Sequence, residues 1–219
     1  MTIRYLFSAA LMIGITIVSA AADARIIHRE RSLYSTILLD ERGSTICLQF
    51  SVRQDQRNQS CKDRRNPDKL VFGYARMMMK SLLLQPNPER ILIVGLGGGT
   101  LPMTLASLYP DSRIDVVEID PAVVTVAETY FEFRETDQIK VFVQDARVFT
   151  KRAGMRGDLY DLIMLDAFNG DYIPEHLMTR EYLEETRDIL AEDGVIAANT
   201  FAISRLYDHE SATYQAVFG

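Results

Sequence analysis

Four acidic side chains and one run of glycines carry the chemistry this sequence can support. The glycines are Gly95, Gly97, Gly98 and Gly99, inside "ILIVGLGGGTLPMTL" (91–105), with Thr100 directly after them. At the carboxyl end of a first parallel strand, glycines let the backbone turn tightly and approach a ligand closely. Glu118 follows about 20 positions on, where an acid accepts hydrogen bonds from ribose hydroxyls. Asp145 closes the next apolar segment, a place from which a carboxylate can meet the amino group of an adenine. Together the three places predict one crevice for one nucleoside. A phosphate cradle fits less well, because no G-x-x-x-x-G-K-[ST] lysine follows and "GLGGGT" departs from G-x-G-x-x-G.

Asp166 ends a further apolar segment, and the stretch "LDAFNGDYIPEHLMT" then brings Asn169, Asp171, Glu175 and His176. Loops at this edge of an α/β sheet are where reacting groups are usually mounted. Asp166 or Asp171 is expected to act as a general base or to hold a cationic amine by charge. His176 reads as a surface or capping residue. There is no G-x-S-x-G elbow, and three scattered histidines with two cysteines offer no metal-ligand spacing, so no metal is expected.

These groups need strands to carry them. Apolar, β-branched segments at 91–95, 114–120, 139–145, 160–166 and 194–200 alternate with helical stretches of ten or more residues. That rhythm predicts an α/β fold, a parallel sheet covered on both faces. Asp120-Pro121 suits the start of a helix, and Gly194 suits a left-handed exit from one. After the fifth strand comes one helical start, "HESATYQAVFG". A sheet of this type usually continues, so C-terminal strands are expected to be missing.

Residues 25–89 read as a separate β-hairpin unit with one helix. "SLYSTILLDERGSTICLQF" alternates around Asp40–Gly43, the pattern of a hairpin. The locally basic stretch 53–65 reads as a solvated loop. "KLVFGYARMMMKSLLL" predicts a core-facing helix with Leu70, Tyr74, Met77, Met78 and Leu82 on its inner side. Pro86 and Pro88 mark the boundary, so residues 90–219 form the nucleoside-binding domain.

The 219 residues carry a net charge of −6, which argues against a general nucleic-acid binder. Residues 1–24 combine Arg4, 18 uncharged residues and an Ala-rich exit before Arg25. This describes a secretory signal peptide, with an uncleaved anchor as the alternative and the only expected membrane association. Export to a periplasmic or extracellular location is the expectation. An anchor, with Arg25, Arg29 and Arg31 behind it, would leave the domain in the cytoplasm. Cys47 and Cys61 lie 14 positions apart, a spacing compatible with a disulfide in an oxidising compartment or with two free thiols.

Six stretches, "SLYSTILL", "DKLVFGYARMM", "ILIVGLGGGTLP", "DVVEIDPAVVTVAETYF", "VQDARVF" and "YDLIMLDAFNGDYIPEHLMTREYLE", together resemble the spermidine/spermine synthase family, in its bacterial spermidine synthase-like branch. The resemblance implies an N-terminal β-strand domain before a Rossmann-like, methyltransferase-type sheet. It implies aminopropyl transfer from decarboxylated S-adenosylmethionine to a small-molecule amine, and a homodimer. It assigns Glu118 to the ribose, Asp145 with Ala146 to the adenine, Gly95 to Gly99 to the sulfonium end, and Tyr74 and Ser35 to the substrate side.

Departures from the family pattern cluster where the amine would lie. Thr100 stands where the family has an aspartate, Asn169 replaces the second acid of a D-x-x-D loop, and Ser35 replaces a glutamine. Tyr74-Ala75-Arg76 replaces Tyr-His-Glu, with Arg76 expected to add a positive charge near the amine channel. Asp171 is expected to take over the missing acid's role. The resulting expectation is a spermidine synthase-like transferase. A methyltransferase using S-adenosylmethionine and a non-catalytic nucleoside-binding protein stand as alternatives.

Overall fold

A computed structural model describes residues 24–51, 56–168, 173–200 and 207–219. The N-terminal unit is an antiparallel meander of β1 (Arg25–Arg31), β2 (Thr36–Arg42), β3 (Thr45–Ser51) and β4 (Gln56–Asp63), paired in that order. The β2–β3 hairpin is the one its alternation predicts, turning at Gly43 with φ +60°. Strand β4 corrects the reading of 53–65 as a solvated loop. Its polar residues join the sheet through backbone pairing with β3, which leaves no mark on composition. Cys61 lies directly opposite Cys47 in that register, and the two form a disulfide.

The helix after this sheet is shorter than its apolar spacing predicts. Helix α1 covers Gly73–Met78, and a 3₁₀ segment continues over Met79–Leu83. Helix α1 buries Ala75 and Met78, and Met77, assigned to the inner face, is 60% exposed.

The main sheet contains β5 (Arg90–Val94), β6 (Arg113–Glu118), β7 (Ile139–Val143), β8 (Tyr160–Leu165) and β9 (Leu190–Ala198). All pairings are parallel and the order is β7-β6-β5-β8-β9. Around it lie α2 (Thr100–Leu108), α3 (Pro121–Tyr130), α4 (Ala146–Arg156), α5 (Arg180–Arg187) and α6 (Tyr207–Phe218). Because successive strand residues face opposite ways, Ile91 and Ile93 pack with Leu105 of α2 and Val126 of α3. Leu92 and Val94 pack with Phe149 of α4, Leu183 of α5 and Val217 of α6. The first cluster also takes in Ile37, Leu39, Ile46 and Leu48 from the meander and Met78 of α1, so the two sheets share one core.

Asp120 caps α3 as expected, accepting from the Ala122 N–H at 3.0 Å, with Pro121 in the first turn. Gly194 does not. It lies within β9, where the pairing with β8 slips between Tyr160 and Leu162. A side chain there would press on Leu190, 2.8 Å away, so packing explains the glycine. Among the described residues no helix is long and apolar enough to cross a membrane.

Candidate active site

β6 and β8 flank β5 on either side, so the strand order reverses at β5 and a crevice opens at the carboxyl edge. The meander and α1 roof it, enclosing a cavity of about 520 Å³. Gly95 has φ +102°, and a Cβ on it would run into the backbone of Asp166. Close approach of the β5 and β8 ends therefore demands glycine. Gly98 and Gly99 are needed for packing behind the loop, since their Cβ atoms would strike Phe131 and Phe133. Thr100 opens α2 and lines the cleft together with Gly95 and Gly97; the first turn of that helix has no acid.

Glu118 ties the loop to the sheet. Its Oε2 accepts from the Leu96 N–H and its Oε1 from the Asp120 N–H, each at 3.0 Å. Burial pushes its carboxyl above the ordinary range, opposed by these backbone hydrogen bonds. Beside it Asp120, 3% exposed, uses Oδ1 as a helix cap, while Oδ2 has no partner among the described residues. Asp145 divides its carboxylate similarly. Oδ1 caps α4 at the Val148 N–H (2.9 Å), and Oδ2 lies 2.8 Å from His176 Nε2. Ala146, the first residue of α4, lines the cleft next to it.

Asp166 stands just past β8 with its backbone N–H bonded to Val94 O. Burial pushes its carboxyl up to about 7, against hydrogen bonds from Asn199 and Tyr74 that favour the ionised form. The Asn199 bond runs from Nδ2 to Oδ1 at 2.8 Å. The Tyr74 hydroxyl also lies 3.3 Å from the carbonyl oxygen of Gln59 on β4, so it links α1, the meander and the acid. Ser35 lines the cleft just before β2.

Ser35, Tyr74, Gly95, Gly97, Thr100, Glu118, Asp145, Ala146 and Asp166 therefore meet in one cavity, while Gly98 and Gly99 stand behind the loop against Phe131 and Phe133. Asn169 and Asp171 lie outside the described residues. Arg76 is a correction. It is absent from the cavity wall, and its guanidinium bonds the carbonyls of Leu70 (2.6 Å) and Val71 (3.2 Å). At that position the arginine turns back to bond the chain that enters α1. His176 does reach the cleft, and sequence reasoning missed Asn199 and Asp120 as part of it. Their signal was position: Asn199 ends β9 at the same sheet edge that carries the other acids.

The electrostatic character follows from this inventory. Glu118, Asp120, Asp145 and Asp166 line the cavity, and among the described residues no lysine or arginine does. Four carboxylates around one cavity attract a cation and disfavour an anion.

A family model described as "Spermine/spermidine synthase domain" matches residues 71–216. A polyamine aminopropyltransferase of Vibrio vulnificus (strain CMCP6) is 53% identical over 90% of this chain, which spans 66% of that relative's length. A probable spermidine synthase from Corynebacterium glutamicum is 25% identical with a TM-score of 0.72, over 87% of this chain and 70% of that one. Human methyltransferase-like protein 13 in complex with SAH is 30% identical with a TM-score of 0.62, over 68% of this chain and 74% of that one. With the fold, the cleft and these matches in agreement, the chain belongs to the spermine/spermidine synthase family.

Proposed function

We propose that this protein transfers an aminopropyl group from decarboxylated S-adenosylmethionine to a small amine. The observation that carries the reading is the anionic cleft, in which desolvation of the half-buried Asp166 pushes its carboxyl up to about 7. Glu118 and Asp145 hold the ribose and the purine from adjacent strand ends. Asp166 takes the proton of the acceptor nitrogen as that nitrogen forms a bond to the methylene carbon beside the sulfonium. The carbon–sulfur bond breaks, its electron pair stays on sulfur, and a neutral thioether nucleoside leaves. A base with a pKa near the working pH suits this step. Positive charge on the donor and on the acceptor matches the four carboxylates, and 520 Å³ accommodates a nucleoside together with a short amine.

A second reading, methyl transfer from S-adenosylmethionine, is favoured by Thr100. With no acid in the first turn of α2, that end of the cleft does not repel the carboxylate that distinguishes S-adenosylmethionine from its decarboxylated form. Incubation with each donor, with and without putrescine, separates the readings by product. Methylthioadenosine released only with the amine supports the first, and methyl loss supports the second. Calorimetric binding of the nucleosides without turnover would leave a non-catalytic binding protein.

Residues 1–24 lie almost wholly outside the described residues, and we infer export from their composition. The Cys47–Cys61 disulfide supports an oxidising compartment. Fractionation of a C-terminally tagged chain tests it, and retention in the cytoplasm at full length would end it. A homodimer is proposed with it, supported by the exposed apolar Met77, Leu83 and Leu84 beside α1, and sedimentation measures it.

A further inference from the structure

A second cavity, of about 20 Å³, adjoins the cleft, and Val94, Ala167, Leu177 and Asn199 line both. Its remaining polar lining is Tyr182 from α5 with Glu210 and Tyr214 from α6. Tyr182 is 1% exposed and Glu210 7%, and the proposed transfer uses neither. Glu210 Oε1 and the Tyr182 hydroxyl are both buried without a well-aligned hydrogen bond among the described residues, although the Thr150 and Thr186 hydroxyls, each donating to a backbone carbonyl, stand beside the tyrosine. Each such group left unsatisfied costs on the order of 1–3 kcal/mol, and two around one small cavity call for an explanation. The space is that of one water, which needs about 10–15 Å³ and two to four polar partners.

Asn199 links this cavity to the reacting acid. Its backbone N–H is fixed on Leu165 O at 2.9 Å, while its side-chain nitrogen donates to Asp166. An amide can turn either end to a carboxylate, but only the nitrogen end can donate.

We propose that the small cavity binds one internal water, bonded to Glu210 Oε1 and the Tyr182 hydroxyl and donating to Asn199 Oδ1, and that Glu210 is thereby a positioning residue for Asp166. The water accepts from the tyrosine and donates to the two oxygens, which satisfies both orphaned groups. It also holds the Asn199 amide with its nitrogen on Asp166. Burial raises the Glu210 carboxyl above its ordinary range, and Oε1 is an acceptor in either protonation state. Asp166 is faced by Tyr74 from α1 and Asn199 from β9. Glu210 shares the cavity with Tyr182 from α5 and Tyr214 from its own helix; Tyr214 interacts with both, and Tyr182 is faced by Thr150 of α4 and Thr186 of α5, with Asp145 and Glu185 beyond.

The test joins a crystal structure that resolves waters to an NMR titration of the Asp166 carboxyl carbon. Neither readout depends on which group the enzyme transfers, so failure of the proposed activity leaves them intact. One water within reach of Glu210, Tyr182 and Asn199 is expected. Glu210→Leu and Tyr182→Phe each raise the Asp166 midpoint by about one pH unit, because the carboxylate loses its amide donor. Glu210→Gln, which keeps an acceptor oxygen, stays close to wild type. If turnover is present, its rate at pH 7 falls about fivefold in the two apolar variants with donor KM unchanged, the ionised fraction lost in such a shift. A dry cavity overturns the proposal, and so does an unmoved Asp166 midpoint in the apolar variants. Should Glu210→Leu fail to fold, Tyr182→Phe, which deletes only a hydroxyl, decides the matter.

Discussion

Asn199 donates its side-chain amide to Asp166 across 2.8 Å, joining the ends of β8 and β9 at the floor of the cleft. That bond and the Tyr74 hydroxyl work against burial, which dominates and leaves the Asp166 carboxyl at about 7. A base must be ionised to accept a proton, so kcat/KM should rise with pH and level off above about 7. Asp166→Asn should remove this limb and lower turnover by about 10² to 10⁴, while donor affinity persists. A variant with an unchanged pH profile would take the base role away from Asp166.

The same carboxyl sets a slope in stability. Its folded value of about 7 lies above the 3.8 of an exposed aspartate, so folding favours the protonated form. Unfolding then releases a proton between those two values, and stability should fall as pH rises from about 3.8 to about 7. Urea titrations of wild type and Asp166→Asn across that window should differ in slope, with the variant flatter.

Glu118 is expected to govern donor binding more than chemistry. Glu118→Gln puts an amide N–H against a backbone N–H it formerly accepted and weakens the carboxylate offered to the ribose. Calorimetry should show nucleoside affinity reduced about tenfold to a hundredfold, the worth of a charged hydrogen bond. Unchanged affinity would place the sugar elsewhere.

Gly95→Ala tests the close approach of β5 to β8. The added methyl meets the Asp166 backbone, and φ +102° is strained for any L side chain. A cost of about 1–3 kcal/mol from backbone conformation alone is expected, before the clash is counted. For a chain of this size that lowers Tm by at least several degrees. Turnover in the surviving fold should fall too, because Asp166 must move.

Removing the Cys47–Cys61 link should cost about 2–4 kcal/mol, since it closes a 14-residue separation in the unfolded chain. Cys61 lines the cleft, and neighbouring Ser60 lies under Gly97 and Gly98. Reduction should therefore weaken nucleoside binding as well as lower the melting temperature. Identical binding in reducing and oxidising buffer would confine the disulfide to stability.

The main sheet was legible because its strands are buried on both faces and read as unbroken β-branched runs. Glu118, Asp145 and Asp166 were legible because each follows such a run directly, and strand ends in a parallel sheet share one edge. Strand β4 was not legible: its polar sequence pairs through the backbone and needs no apolar alternation. Met77 was misplaced because the short helix α1 buries Ala75 and Met78 and leaves Met77 exposed, a choice made by what the helix packs on. Arg76 was misjudged because its charge was counted before its hydrogen bonds to Leu70 and Val71 could be known.

Periodicity and spacing alone thus determined the α/β class, the glycine turn and the acids that rim the crevice, since these are local consequences of a chain alternating strand and helix. Only the tertiary structure decided which neighbours each acid meets. Asp145 is shared with His176, Glu118 with the Leu96 and Asp120 backbone, and Asp166 with Asn199 and Tyr74. Burial and hydrogen bonding between residues tens of positions apart set the ionisation of those acids, and no local pattern encodes that distance.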